Sequence, residues 1–224
     1  WREVARRMAH EIKNPLTPIQ LSAERIRKKY AERSGDLDAI VEEGTAAIVW
    51  EVAALKNLVD EFTRFARLPA PEPVPTSLQE VIAAALVLYN GMHQAVTIRP
   101  LCEPGLPRVL LDPEQMKRVL VNLLDNAVEA MGGRGEVTIE ARRDAAAGTV
   151  LLEVADDGPG IRSEDRERLF LPYFSTKKKG TGLGLAIVHR IVSDHRGRIR
   201  VEDNRPRGAR FVIELPAGDA AGVQ

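Results

Sequence analysis

Apolar residues recur every three or four positions over the first third of the chain. Val4, Met8, Ile12, Leu16, Ile19, Ala23, Ile26 and Tyr30 form one run; Val41, Ile48, Val52, Leu55, Val59, Phe62 and Ala66 form a second. This is the spacing of amphipathic helices with one apolar stripe each, and alternating steps of four and three make a bundle seam. Ser34-Gly35-Asp36 breaks the rhythm, so the two helices are expected to form a hairpin. Two helices with one stripe each cannot bury those stripes well alone. Two hairpins pairing into a four-helix bundle is the expected solution; the alternative is a monomeric hairpin packed on the rest of the chain.

The rhythm ends at Leu68-Pro69-Ala70-Pro71-Glu72-Pro73-Val74-Pro75, where alternate prolines forbid a helix and imply a stiff extended linker. The expected division is therefore a helical hairpin at 1–68, a linker at 69–76 and a second domain at 77–224. That domain has a mixed α/β pattern. Ser77 and Glu80 form a capping box for a helix to about Tyr89. Asp112-Pro113-Glu114 opens another helix, which stops at Gly132-Gly133. Strands are expected at Val96–Arg99, Arg108–Leu111, Glu136–Arg142, Thr149–Ala155, Arg198–Glu202 and Ala209–Leu215. Residues 157–181 read as a long loop with one short helix, and a further helix is expected over Gly182–His195. The tail after Pro216 is expected to fray.

Composition narrows the partners. Lys and Arg balance Asp and Glu at 32 each, so the formal net charge is zero and nothing points to nucleic acid. The single cysteine, Cys102, forms no internal disulfide, which suits a reducing compartment. The apolar runs are far too short to span a bilayer, so the piece is expected to be soluble and cytoplasmic. The chain opens at Trp1 in mid-helix and reads as part of a longer protein.

The candidate chemistry lies in two places. His10 sits two residues from both Met8 and Ile12, about 200° around the helix from the apolar stripe, so it is expected to face outward with Lys13, Asn14 and Thr17. An exposed imidazole beside Glu11 can act as a nucleophile, the carboxylate taking the proton from one ring nitrogen while the other attacks. Taken alone, this is as readily an ordinary surface histidine. In the second domain, Asn122 and Asn126 share a helix face and suit Mg²⁺ held jointly with phosphates. Asp156-Asp157-Gly158-Pro159-Gly160 follows an apolar strand, where a carboxylate can accept a hydrogen bond from an exocyclic amine. Lys177-Lys178-Lys179-Gly180-Thr181-Gly182-Leu183-Gly184 leads a basic stretch into a helix start, an anion site in kind but not the Walker pattern.

In chain order, HEIKNPL, NLLDNA, DDGPGI, LFLPYF and GTGLGL resemble the H, N, G1, F and G2 boxes of two-component histidine kinases, and the likeness is greatest to nitrogen-regulation sensor kinases of the NtrY type. The resemblance implies a dimeric helical hairpin followed by a Bergerat-type α/β sandwich. It implies ATP and Mg²⁺ as cofactors, autophosphorylation of His10, transfer to the receiver domain of an NtrX-like response regulator, and phosphatase activity toward that regulator. It makes Glu11 the acid–base partner and Asn14 the residue that supports dephosphorylation. Asn122 and Asn126 hold Mg²⁺–ATP, Asp156 reads adenine, and Gly158 and Gly160 shape its pocket. Phe170 and Phe174 belong to a mobile lid, and Lys177, Gly180, Thr181, Gly182, Leu183 and Gly184 serve the phosphates. The parent protein is implied to be anchored in the inner membrane. Asp157, Glu129 and Arg196 depart from the usual residues of the family without removing a required group. Two other functions remain open: an ATP-driven clamp in which His10 is incidental, and a docking module that does no chemistry. Asn122, which is no base, weighs against water activation.

Overall fold

The structure, a computed structural model, describes residues 2–66, 68–89, 95–175 and 182–217, without the side chains of 2–5, 7, 8, 10, 11, 61, 62 and 64–66. The described residues fall into two compact units.

The first unit is a hairpin of α1 (Arg2–Ala31) and α2 (Leu37–Ala66). Pro15 and Pro18 lie inside α1, which continues through them. The prolines leave the carbonyls of Glu11 and Asn14 without their usual helical donors; separately, the Thr17 hydroxyl donates to the Lys13 carbonyl at 3.2 Å. In the turn, Arg33 has φ 51° and Ser34 donates to Asp36. The helices meet closely where Gly44 faces Ile26, and Arg25 pairs with Glu43 at 3.2 Å. The seam corrects the sequence reading in one respect. Ile40 and Leu58 are its most buried side chains, while Val41 and Val59, assigned to the stripe, are exposed along with Leu16, Tyr30 and Val52. A helix turns once in about 3.6 residues, so a four-three stripe is wider than the single line of contact one neighbour offers.

The second unit begins in the segment expected to be a linker. There β1 (Val74–Thr76) pairs antiparallel with β3 (Val109–Leu111). Pro69 accepts a hydrogen bond from Gln115 Nε2 at 3.1 Å, and the Glu72 N–H donates to Asp112 Oδ2 at 3.1 Å. The proline-rich stretch is thus tied down along its length; a short edge strand tolerates proline because it has few ladder bonds to lose.

α3 (Leu78–Val87) starts at Ser77, whose hydroxyl accepts the Glu80 N–H at 3.5 Å. β2 (Val96–Cys102) follows. α4 (Pro113–Ala130) starts at Asp112, whose Oδ1 accepts the N–H groups of Glu114 and Gln115 at 3.0 and 3.1 Å. β4 (Gly135–Asp144) and β5 (Thr149–Asp156) form the expected hairpin. α5 (Ser163–Arg166), α6 (Gly184–Asp194), β6 (Arg198–Asp203) and β7 (Ala209–Pro216) complete the chain order. The large sheet has the order β2-β4-β5-β7-β6, antiparallel throughout except for the β2–β4 pair.

Alternation sorts the two faces of this sheet. One face carries Val137, Ile139, Leu152, Val154, Phe211, Ile213 and Leu215, all buried together with Met116, Leu120, Leu123 and Leu124 of α4 and Val188, Ile191 and Val192 of α6. No helix covers the other face among the described residues. There Glu153, 6% exposed, is bracketed by Arg142 at 2.8 Å and Arg210 at 3.6 Å, and Arg210 also pairs with Glu202 at 2.6 Å. The arginine stems shield apolar Leu151 and Val212, which are buried on the same face.

Candidate functional site

α4 is the spine of the site. Asn122 Nδ2 donates to the Arg118 carbonyl at 2.8 Å, which turns Oδ1 away from its own helix. That oxygen is directed at the start of α6: a Cβ on Gly184 would lie 3.0 Å from Asn122 Oδ1 and 3.9 Å from Asn126 Nδ2. A side chain at position 184 would crowd the Asn122 amide, so the glycine keeps clear the space between that oxygen and the start of α6. Gly182, just before, has φ 69°, and Leu183 is fully buried.

Asp156 ends β5 and is 5% exposed. Its Oδ1 accepts two backbone N–H groups, from Gly158 at 2.9 Å and Ala209 at 3.2 Å. Its Oδ2 takes no hydrogen bond from the described residues. Burial pushes this carboxyl above its ordinary range; the Asp157 charge adds to the effect, and the two N–H groups oppose it. Gly158 lies against Met131, the C-cap of α4, with a Cβ there 3.4 Å from Met131 Cγ. The carboxylate turn and the paired amides therefore sit at two stations along one helix. From Asn122 to Met131 the rise is roughly 14 Å at 1.5 Å per residue.

The other expected site residues are placed as follows. Gly160 has φ 80° and faces the Gly208 carbonyl, 3.2 Å from its ideal Cβ. The Phe170 ring packs between His189 of α6 and Phe211 of β7, with centroids at 5.7 and 6.5 Å. Phe174 lies under the Arg168 guanidinium at 4.8 Å. Asn14 is exposed on α1. The side chains of His10 and Glu11, the residues Lys177, Gly180 and Thr181, and the tail from 218 lie outside the described residues.

Several supporting groups carried no sequence signal. The Tyr89 hydroxyl lies 2.5 Å from Asp125 Oδ1 and 3.1 Å from the Val121 carbonyl, bracing α3 to the middle of α4. Burial, and after it the Asp125 carboxylate, push this phenol well above its usual range, so it stays a donor. His195 is buried, with Nδ1 2.7 Å from the Ile191 carbonyl and Nε2 accepting the Asp112 N–H at 2.9 Å. It ties the end of α6 to the cap of α4. Asn204 donates from Nδ2 to the Asp156 carbonyl at 2.8 Å.

Among the described residues no cluster of three His, Cys, Asp or Glu side chains could hold a metal unaided. The neutral amide oxygens of the Asn pair suit a hard cation whose other ligands are phosphates and water.

Comparison with known proteins gives the family. Residues 1–71 match the His Kinase A (phospho-acceptor) domain, and residues 111–219 match the histidine kinase-, DNA gyrase B- and HSP90-like ATPase family. The chain is 38% identical to the nitrogen regulation protein NtrY of Azorhizobium caulinodans over 97% of its own length, but spans only 29% of that protein. It is 34% identical to the catalytic domain of histidine kinase ThkA, covering 65% of this chain and 96% of that domain, with a TM-score of 0.60. The structure of ThkA in complex with the response regulator protein TrrA is similar over 96% of this chain and 61% of that one, at 29% identity and a TM-score of 0.70. The chain belongs to the sensor histidine kinases, and its fold is their helical hairpin followed by an α/β sandwich.

Proposed function

We propose that this chain is the catalytic core of an autokinase that moves the γ-phosphoryl group of ATP to His10 and then to an aspartate of a receiver domain. The observation that carries the reading is Asp156: a buried carboxylate with one oxygen clamped by two backbone N–H groups and the other open, beside the C-cap of α4. An adenine amine donates to Oδ2, and the triphosphate runs along α4 toward Asn122, Asn126 and the α6 N-terminus. Helix N–H groups receive the phosphates there, supported by Gly180, Thr181, Gly182, Leu183 and the Lys177 charge. Asn126 and Asn122 would hold Mg²⁺ jointly with the phosphates, and the ion would supply neutralisation of phosphate charge. Phe170 and Phe174 belong to the lid over the nucleotide.

The hairpin supplies the acceptor. One imidazole nitrogen of His10 attacks the γ-phosphorus, the N–P bond forms as the bond to the ADP oxygen breaks, and Glu11 takes the proton from the other nitrogen. Asn122 cannot act as a base for water, which favours transfer over hydrolysis. Asn14, exposed one turn beyond His10, orients a water for dephosphorylation of the regulator. Two copies pair through α1 and α2, with the acceptor in residues 1–68 and the nucleotide domain beginning at Pro69, because the segment expected as a linker belongs to the second unit. The likeness to ThkA, a kinase whose structure is known in complex with the response regulator protein TrrA, supports a response regulator as partner. The likeness to NtrY supports an NtrX-like one. No described helix is long and apolar enough to cross a membrane; an inner-membrane anchor belongs to the parent protein.

Incubation with γ-labelled ATP and magnesium tests the proposal. Acid-labile, base-stable label on the chain, absent from His10→Ala, is the expected result. Turnover of ATP with no label on the protein would instead indicate the ATP-driven clamp.

A further inference from the structure

The expected ladder between β5 and β7 gives way one residue before it would reach the end of β5. The last register pair is Ala155 with Arg210. One step further, the Ala209 N–H turns to the side chain of Asp156, meeting Oδ1 at 3.2 Å. The Asp156 carbonyl is met instead by a side chain from the β6–β7 loop, with Asn204 Nδ2 donating at 2.8 Å. Carboxylate and amide thus stand in for one rung of sheet.

The loop that delivers Asn204 is built to reach this point. Asn204 is held to the loop's far side by its own N–H, which donates to the Gly208 carbonyl at 3.0 Å. Gly208, at φ 116°, presses so closely on Asp156 that a Cβ would fall 1.7 Å from the Asp156 carbonyl oxygen. No other residue fits there. Arg207 Nε donates to the next carbonyl, Asp157, at 2.8 Å. The peptide plane after Asp156 is therefore held by Asn204 at its carbonyl and by the Glu136 carbonyl, which accepts the Asp157 N–H at 3.2 Å; the Gly158 N–H that grips Oδ1 at 2.9 Å lies in the adjoining plane, whose carbonyl Arg207 holds.

We infer that Asn204 is a positioning residue for purine recognition: it sets the depth and angle of the Asp156 carboxylate and thereby the preference for a 6-amino over a 6-oxo purine. The inference rests on the proposed adenine-reading role of Asp156. A 6-amino group donates to Oδ2. A 6-oxo group faces it with lone pairs and is rejected in proportion to how rigidly the carboxylate is held, because a mobile carboxylate can swing aside. Asn204 touches neither substrate nor reacting atoms. Its effect should fall on nucleotide affinity and base choice, not on the phosphoryl-transfer step at saturation.

The test uses the full 224-residue chain. Single-turnover labelling with ATP and with GTP is measured for wild type, Asn204→Ala, Asn204→Asp and Asp156→Asn, with thermal unfolding on the same samples. Asn204→Asp preserves shape but loses the donor, so it serves if the alanine variant fails to fold. The expected result is an apparent KM for ATP raised about tenfold, a saturating rate within about twofold of wild type, and an ATP-to-GTP preference reduced by about tenfold. Asp156→Asn should abolish the preference. Asn204 variants with wild-type KM and base preference, while Asp156→Asn loses both, would overturn the positioning role alone. A wild-type ATP-to-GTP ratio in Asp156→Asn would overturn the reading on which it rests. A loss confined to the saturating rate in the Asn204 variants would also contradict the inference.

Discussion

The hairpin and the α/β unit bury their apolar residues to very different degrees. In the α/β unit, Met116, Leu120, Leu124, Ile139, Leu152, Ile191 and Ile213 have no exposed surface at all. In α1 and α2, Ile40 and Leu58 are the buried side chains among those described, while Leu21, Val49, Trp50 and Val52 are more than half exposed. The first has a core of its own. The second carries an apolar stripe that one chain leaves open. A self-contained unit suits a nucleotide site, whose carboxylate and amides must be held within fractions of an ångström. An open stripe of this kind fits the proposed pairing of two copies.

The largest effect should come from breaking the self-contained half. Asp156→Asn keeps an oxygen for the Gly158 and Ala209 N–H groups but loses the charge, so MgATP affinity by calorimetry should fall at least about a hundredfold. Stability should not fall with it. Burial raises the folded-state pKa of Asp156, so the ionised form is held at a cost to folding. Wild-type stability relative to Asp156→Asn should therefore rise as pH drops through that raised value. ATP affinity should fall over the same pH range, above the ordinary aspartate range. Flat ATP affinity down to the ordinary range would contradict this.

Core packing gives the next largest effect. Leu123→Ala, at a side chain 1% exposed, should cost about 3 kcal/mol in denaturant unfolding of the α/β unit. Val52→Ala in the hairpin should cost less than about 0.5 kcal/mol within one chain. Placing charge on the open stripe, as in Val52→Glu with Val59→Glu, should leave ATP binding intact and weaken self-association by about tenfold or more, read by sedimentation. Equal association in the charged variant would mean that the stripe is not the pairing surface.

A moderate, pH-dependent effect is expected at the start of α4. Asp112→Ala removes an acceptor used by Glu114, Gln115 and Glu72 and should cost about 1–2 kcal/mol. Although burial pushes Asp112 upward, those N–H groups hold its carboxyl below the usual range. Its contribution is thus present above the ordinary aspartate value and lost as pH falls through the depressed one. The difference between wild type and Asp112→Ala should shrink only in strong acid.

What could be read in advance follows the range of the forces involved. Local signals carried well: Ser77 and Asp112 cap α3 and α4 as their sequence contexts imply, and Gly132 closes α4. Alternation placed the β4–β5 hairpin. Less legible were features set by distant neighbours. Val74–Thr76 becomes a strand because β3, far along the chain, offers it an edge, against the local message of its prolines. The seam shifted to Ile40 and Leu58 because one partner helix selects one line from a broad stripe. In the site, Asn122, Asn126, Asp156 and Gly184 stood out by type and spacing. Asn204, Met131 and Tyr89 did not, since their roles arise only when loop, cap and helix end are folded together.

The division of labour between the halves is tested most directly by separating them. Residues 69–217 and residues 1–68 would be produced as two polypeptides and mixed with γ-labelled ATP and magnesium. The account predicts that the larger piece binds ATP as the whole chain does and takes no label, while the smaller becomes labelled at His10. Label retained on the larger piece, or none on a folded hairpin beside a nucleotide-bound partner, would contradict it.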